Sequence, residues 1–499
     1  MDSYIVKVEN LKADDSYVEI TVSVTGEKDL YYPRISACFY TDGDNRILPM
    51  DLKSCDGKTA VAIGIFDVPF LFYENKNVKD IGIKFLFSDG KADNVILSPE
   101  SEIHIPVKKR SGLKHFIKSS RREKSKILFS KLMSLLFAPY RRMKVQPNKV
   151  AFLTNRSERL TGNIKSVFFE MTKIPGIEIN VLCKKGGVKS NLPNLFKFFK
   201  LYATSAVVFV DDYYHFLSYL KKKDDVTLIQ LWHACGAFKT FGFSRLGRDS
   251  YLRQSSPNHR QYDYVVVSSQ EVIPYYAEGF GVAMEKVIPL GSPRCDMLEN
   301  EDYKKRFKKK FYKENPTLQG KKVLLFAPTF RGGGMGSCHY PADKFEIDNL
   351  LSNLDDDWCV IVKMHPYLSE RPTYSPKYAD RVFDFTANYD INDLLFITDL
   401  LVTDYSSVIF EASIVGIPML FYAFDLNEYS RDRDFYCNFE SFVPGKIVLS
   451  MEEMLEAIKN NDYKQELVAP FKERFFGDTT GHATDNVIKF TKELLKADV

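Results

Sequence analysis

The sequence predicts an α/β protein with two Rossmann-like parallel-sheet domains, preceded by a small all-β domain and a basic helical segment. Three observations carry this expectation. From residue 148 onward, near-continuous apolar strand candidates alternate with helical stretches, the pattern of parallel sheets covered on both faces. The charged stretch NEDYKKRFKKKFYKENP, residues 300–316, divides those strands into two series. The first 106 residues have a different texture, with short β-like bursts between turn signals.

In chain order, the bursts YVEITVSV, RISACFY, TAVAIGIF and IGIKFLF, separated by DGDN, CDGK and SDGK, predict a sandwich-like domain over residues 1–106. Residues 107–147 form the basic segment. Between Lys108 and Lys149 there are fourteen Lys or Arg and one acid, Glu123, so this stretch carries +13 of a chain whose net charge is +4. Its apolar-rich piece, Ile127 to Phe137, falls short of the ~20 residues that cross a bilayer. An apolar face amid dense Lys and Arg suits a helix lying on an anionic membrane surface. A solvated linker packed on its neighbour and a nucleic-acid patch are the alternatives, and no nucleic-acid fold accompanies the charges.

The first α/β domain, residues 148–305, takes its strands from KVAFLTN, IEINVLC, AVVFVDD, VTLIQLWHA and YDYVVVSS. The second, residues 306–499, takes them from KKVLLFAPTF, WCVIVKMHP, DLLVTDYSS and IPMLFYAFD. Ligands of such sheets bind beyond the carboxyl ends of the strands. His233, Asp211, Asp212, Ser268, Thr329, Arg331, His365, Asp404, Ser406 and Ser407 all follow an apolar strand directly. Their shared position marks a common cleft.

The residue types suggest phosphate chemistry. A neutral imidazole at His233 can take a proton from an attacking hydroxyl, and the loop behind it supplies Gly236, Lys239, Gly242, Arg245 and Arg248. The alternative is a histidine satisfied within the fold. In LFAPTFRGGG, the Thr329 hydroxyl and Arg331 guanidinium could clasp a phosphate, unless this is an ordinary surface loop. In VIVKMHPYL, Lys363 and His365 end a strand. In LLVTDYSSVIFEAS, Thr403, Asp404, Ser406 and Ser407 precede a helix, whose amino terminus is a natural anion site. A plain helix cap would use only one of them.

Other chemistries lack their signatures. There is no GxxxxGK[ST], HExxH, CxxC or GxSxG, and the eight scattered cysteines read as reduced thiols, so neither a metal nor a cofactor is expected. The triplet Asp432 to Asp434, DRD, imitates a metal-binding motif in a polar loop. Without a signal peptide or a spanning segment, a cytoplasmic location is expected.

Together, WHACGAFKTFG, YDYVVVSS, LGSPRCDML, LFAPTFR, KMHP, LLVTDYSSVIFEAS, PMLFYAFDLNEY and RDRDFY resemble the CDP-glycerol:poly(glycerophosphate) glycerophosphotransferases and their ribitol-phosphate relatives, over roughly residues 148–450. The resemblance implies a GT-B fold, two facing Rossmann-like domains, working on the inner face of the cell membrane as a peripheral enzyme. It implies transfer of glycerol phosphate or ribitol phosphate from a CDP-alditol to a hydroxyl of a lipid-linked teichoic acid or capsular polymer, releasing CMP. His233 would be the base, with His365 also in the catalytic set. Arg331, His365, Thr403, Ser406 and Ser407 would hold the diphosphate with Thr329 and Lys239, Asp404 would order the loop, and Glu411 would reach the nucleoside. One departure concerns HACGAFK, where the glycerol enzymes read HGTPLK: Ala234 and Cys235 replace Gly and Thr, leaving the polyol open. A GT-B glycosyltransferase using a nucleotide sugar is the runner-up, and a non-catalytic lipid- or polymer-binding scaffold a third reading. A homo-oligomer is compatible with the sequence, and nucleic acid is not an expected partner.

Overall fold

The computed structural model describes residues 4–13, 17–30, 33–41, 44–67, 80–89, 95–99, 102–106, 121–246, 254, 256, 258–332, 338–365, 368–432 and 434–495. Alternation builds the amino-terminal region. In β2 (Val18–Gly26), Val18, Ile20, Val22 and Val24 are buried on one face, as period-two side chains must be when only one face meets a core. That strand lies between β1 (Tyr4–Ala13) and β6 (Thr59–Phe66), with β5 (Asp51–Cys55) at the edge. A second antiparallel sheet runs β4 (Asp44–Pro49), β3 (Arg34–Thr41), β7 (Asp80–Ser88), β8 (Val95–Leu97), and β9 (Ile103–Pro106) also pairs with β7. Ile35, Phe39, Ile83 and Phe85 from this sheet share one core with the β2 valines.

The basic segment contains helix α1 (Arg121–Arg141); its residues 107–120 lie outside those described. The helix has two apolar faces. Phe129, Met133, Leu136, Phe137 and Tyr140 pack inward, with the Phe137 ring 5.2 Å from Phe199 and 5.9 Å from Tyr202. Leu128, Leu132 and Leu135, on an adjacent face roughly a third of a turn round the helix, remain 56%, 50% and 71% exposed. Packing on the neighbouring domain and an open apolar stripe therefore coexist. Among the described residues, no helix is long and apolar enough to cross a membrane.

Two six-stranded parallel sheets follow. The first has the order β11 (Glu178–Cys183), β10 (Gln146–Thr154), β12 (Ser205–Val210), β13 (Thr227–Gln230), β14 (Tyr264–Val266), β15 (Val287–Ile288). The second runs β18 (Val382–Asp384), β17 (Trp358–Val362), β16 (Lys322–Phe326), β19 (Leu400–Thr403), β20 (Met419–Tyr422), β21 (Lys446–Val448). All pairings within both are parallel. Strand order reverses between β10 and β12 in one sheet and between β16 and β19 in the other. At such switch points adjacent loops leave toward opposite faces and open a crevice. The α/β class with an antiparallel amino-terminal region is thus what the molecule has.

Helices α2 (Gly162–Met171), α3 (Leu195–Thr204), α4 (Ile273–Phe280), α5 (Glu301–Glu314), α6 (Ile391–Leu395), α7 (Val408–Val415) and α8 (Ala483–Leu495) position the loops discussed below. Helix α8 returns to the first sheet: Val487 and Leu495 join Val150, Phe152 and Ile164 in one cluster, and Asp296 accepts the amides of Ala483 and Thr484 at 3.0 and 2.7 Å. The last residues therefore belong physically with the first α/β unit, although the sequence places them in a domain over 306–499. The β region docks on α4 through Ser36 and Arg34, which both reach Glu278, and Arg34 also pairs with Asp434 at 3.1 Å.

Candidate active site

Loops from both switch points line one cavity of about 620 Å³. Arg156 and Arg294 come from the first unit; Ala327, His365, Ser406, Ser407 and Glu411 come from the second.

His233 is not part of the cavity lining but lies within electrostatic reach of its Arg156 and Arg294, on a strained turn. Trp232 has φ +50°, a left-handed conformation costly for a bulky side chain. The turn is held by Asn163, whose amide donates to the carbonyls of Leu231 at 2.9 Å and Trp232 at 3.2 Å. His233 Nδ1 lies 3.2 Å from the Asp211 carbonyl and 3.9 Å from Asp212 Oδ2. With Nδ1 donating to that carbonyl, the assigned tautomer leaves Nε2 as an acceptor. Burial, reinforced by Arg156, pulls the His233 pKa down to about 3, against the opposing effect of the Asp211 carbonyl. The ring is therefore neutral at physiological pH.

The following loop ties the two units together. Gly236 has φ +64°, and a Cβ there would fall 2.1 Å from the Phe410 ring of α7, so only glycine fits. Lys239 pairs through its backbone with Phe435, and its ammonium lies 3.3 Å from the Tyr429 hydroxyl. Across the cavity the His365 ring packs on Phe330 at 4.7 Å, and burial together with the Lys239 charge lowers its pKa.

Ser406 and Ser407 precede α7. Ser407 makes no side-chain cap bond, and the Ser406 hydroxyl meets the Val408 amide only at a long 3.4 Å. Ser406, Ser407 and Val408 thus line the cavity at a helix amino terminus, a position where unpaired donors and the helix dipole favour an anion.

Four predicted ligands are placed otherwise. Arg331 donates through Nε and Nη2 to Asp425, both at 2.8 Å, and through Nη1 to Asp404 and the Thr329 carbonyl. The rings of Tyr340, Tyr405, Phe424 and Tyr429 enclose it at 5.2–5.3 Å. With four of its five N–H bonds spent internally and 9% exposure, this guanidinium is an organising post and not an open clasp. The Thr403 hydroxyl donates to the Ala327 carbonyl at 2.7 Å, locking β19 to the extension of β16. Thr329 is buried, and its amide donates to Asp404 Oδ1 at 2.7 Å. Glu411 reaches across to Arg294 of the first unit, while its Oε2 is buried without a hydrogen-bond partner. Asp404 orders the loop, accepting from the Thr329 and Tyr405 amides as well as from Arg331.

Sequence reasoning passed over Arg156 and Arg294. The strand-end rule would have found Arg156, two residues beyond β10; Arg294 sits inside the quoted stretch LGSPRCDML but follows no long strand. Lys363 is structural, its ammonium donating to four carbonyls between Phe385 and Tyr389 at 2.7–3.1 Å. Cys235, Cys295 and Glu411 bring possible metal-ligating atoms within 4.8 Å of one another, but the Arg294 guanidinium already supplies the positive charge there. Asp434 of the DRD triplet is likewise committed, to Arg34.

Residues 135–492 match the family model of the CDP-Glycerol:Poly(glycerophosphate) glycerophosphotransferases. The chain belongs to this family. Among its relatives, the teichoic acid poly(ribitol-phosphate) polymerase of Bacillus spizizenii is 38% identical over 363 residues, 72% of this chain and 59% of that protein. The teichoic acid ribitol-phosphate polymerase TarK of Staphylococcus aureus is 38% identical over 364 residues, 72% of this chain and 71% of that one. The match thus spans under two thirds of the length of the first of these relatives. A solved structure of a variant of the wall teichoic acid polymerase TagF shares the fold, with a TM-score of 0.60 at 22% identity over 78% of this chain and 99% of that one.

Proposed function

We propose that this chain transfers ribitol phosphate from CDP-ribitol to a terminal hydroxyl of a lipid-linked teichoic acid chain, releasing CMP. The observation that carries the proposal is a neutral histidine, His233, within electrostatic reach of Arg156 and Arg294 of a cavity whose other side is a helix amino terminus bearing Ser406 and Ser407. The two 38%-identical ribitol-phosphate polymerases favour ribitol over glycerol as the transferred polyol.

In this reading the two α/β units face each other in the GT-B manner. Ser406, Ser407 and the first amides of α7 hold the diphosphate, with His365 and Lys239 adding donors. The acceptor oxygen forms a bond to the ribitol-linked phosphorus as the bond from that phosphorus to the CMP oxygen breaks. The acceptor proton passes to His233 Nε2. The Asp211 carbonyl fixes the tautomer, and the resulting imidazolium faces Asp212. The diphosphate's negative charge, once alongside, favours protonation and raises a pKa that burial holds down. Little covalent chemistry falls to the protein, and positioning with charge neutralisation supplies most of the acceleration. Arg331 contributes indirectly, by holding Asp404 and so the serine loop.

The exposed leucine stripe of α1, flanked by Lys131, Arg141 and Arg142, rests on the anionic inner face of the membrane and brings the cleft to its lipid-borne acceptor. The test is to incubate the purified chain and a soluble acceptor with CDP-ribitol, CDP-glycerol or a UDP-sugar and identify the nucleotide released. CMP from CDP-ribitol is the expected product; UDP release would instead support the glycosyltransferase reading.

A further inference from the structure

A second cavity, of about 860 Å³, opens over the carboxyl ends of β10 and β11. It shares Thr161, Gly162, Lys165, Phe169 and Asp390 with the active-site cavity, so the two are continuous. Their junction lies next to the proposed base: Asn163, directly after Gly162, holds the carbonyls of Leu231 and Trp232, the residues before His233. Resting on the transfer reading above, we propose that this second cavity binds the acceptor, holding the phosphodiester groups behind the reacting hydroxyl.

The chemistry of the walls supports an anionic chain. Arg159 and Lys197 line the cavity, and Lys165 stands at the mouth. Among the described residues, neither Arg159 nor Lys197 is in an ion pair. The two lining acids are already engaged: Glu158 pairs with Lys184 at 3.0 Å, and Asp390 caps α6 by accepting from the Asn392 amide at 2.9 Å. The ten-residue helix α2 begins at the junction. Thr161 makes no side-chain cap bond there, and the first turn contains no acid. Its unpaired amides and dipole therefore add to the positive potential. Phe169, 52% exposed, gives the shared rim an apolar edge against which a polyol carbon chain can lie. The volume falls in the range of sites that hold drug-sized ligands, leaving room for more than the terminal hydroxyl. A polymerase built this way grips the product of one turnover as the acceptor of the next, and longer acceptors bind better than short ones.

The experiment compares the full chain with Arg159→Gln/Lys197→Gln, using residues that line only the second cavity. Binding of a soluble ribitol-phosphate oligomer, measured by calorimetry without donor, reads the groove; CMP release reads the transfer. The wild type is expected to bind the oligomer more weakly as salt rises. The double variant should lose roughly three- to tenfold in affinity, the range for two partly exposed ion pairs. Its KM for a several-unit acceptor should rise by the same factor, with KM for a one-unit acceptor, donor affinity and thermal midpoint unchanged. Equal oligomer binding by wild type and variant overturns the groove, as does an equal loss on short and long acceptors. Oligomer binding that the variant loses, without CMP release from any CDP-alditol, would keep the groove and refute the transfer reading.

Discussion

Replacing Arg331 by methionine removes a charge but keeps most of the side-chain volume. Asp404 then remains buried and Asp425 half-buried, with side-chain exposures of 1% and 15%, without the cation that both contact. Burial works against the guanidinium charge, and the two carboxylates outweigh it, so Arg331 stays protonated throughout the accessible range. Breaking a buried pair on one side costs about 3–5 kcal/mol, mostly because the stranded carboxylate cannot return to water. The loss of cation–π contact with four rings acts in the same direction. At roughly 2–4 °C per kcal/mol for a domain of this size, the thermal midpoint of the second α/β unit should fall on the order of 10 °C. Calorimetric unfolding measures this, and donor titration well below the new midpoint completes the experiment. Donor affinity should weaken only modestly, because Arg331 acts on the serine loop through Asp404. An unchanged midpoint with donor affinity reduced tenfold or more would refute the structural role and make Arg331 a phosphate ligand.

Ser406→Ala and Ser407→Ala should each weaken CDP-ribitol binding about tenfold or more, as expected for losing a hydrogen bond of about 1.5–3 kcal/mol to a charged group, without shifting the thermal midpoint; calorimetric titration checks both. Changing Leu128, Leu132 and Leu135 together to Gln should release the chain from anionic vesicles in a flotation assay while leaving its melting unchanged. Phe137→Ala, on the docked face of the same helix, should cost about 3–5 kcal/mol of stability in denaturant titrations. His233 has a folded-state pKa of about 3 against about 6.5 when unfolded, so the unfolded chain binds the extra proton. Its contribution is intact above about pH 6.5 and is lost as pH falls toward 3; the denaturation midpoint of His233→Asn should therefore fall less steeply than that of wild type between pH 6.5 and 4.

What could be read in the sequence follows from what burial does to it. The parallel strands announce themselves because both faces are covered: Val150 to Leu153 and Val323 to Leu325 are buried throughout, leaving uninterrupted apolar runs. Position at a strand end likewise picked out His365, Ser406 and Ser407, which line the cavity, and His233, which lies near its arginines. It could not separate groups that open onto the cleft from groups that face inward. Arg331 and Ser406 occupy equivalent places in the chain, and only the carboxylates of Asp404 and Asp425, far along the sequence, decide that the arginine is spent internally. The same holds for Glu411, whose partner Arg294 comes from the other unit. Helix α8 was illegible as part of the first unit for a similar reason: its apolar face fits either sheet by periodicity, and Asp296 capping its start anchors it to one. In α1, the basic charge concealed two apolar stripes of different fates.

The most direct test of the transfer mechanism is a single-turnover measurement of CMP release from CDP-ribitol by His233→Asn, with donor affinity measured on the same preparation. A general base contributes typically 10²- to 10⁴-fold to the rate, so release should slow by about that factor while the dissociation constant stays within about twofold of wild type. Wild-type release rates in the variant, or lost donor binding with an unchanged rate per bound complex, would contradict the assignment of His233 as the base.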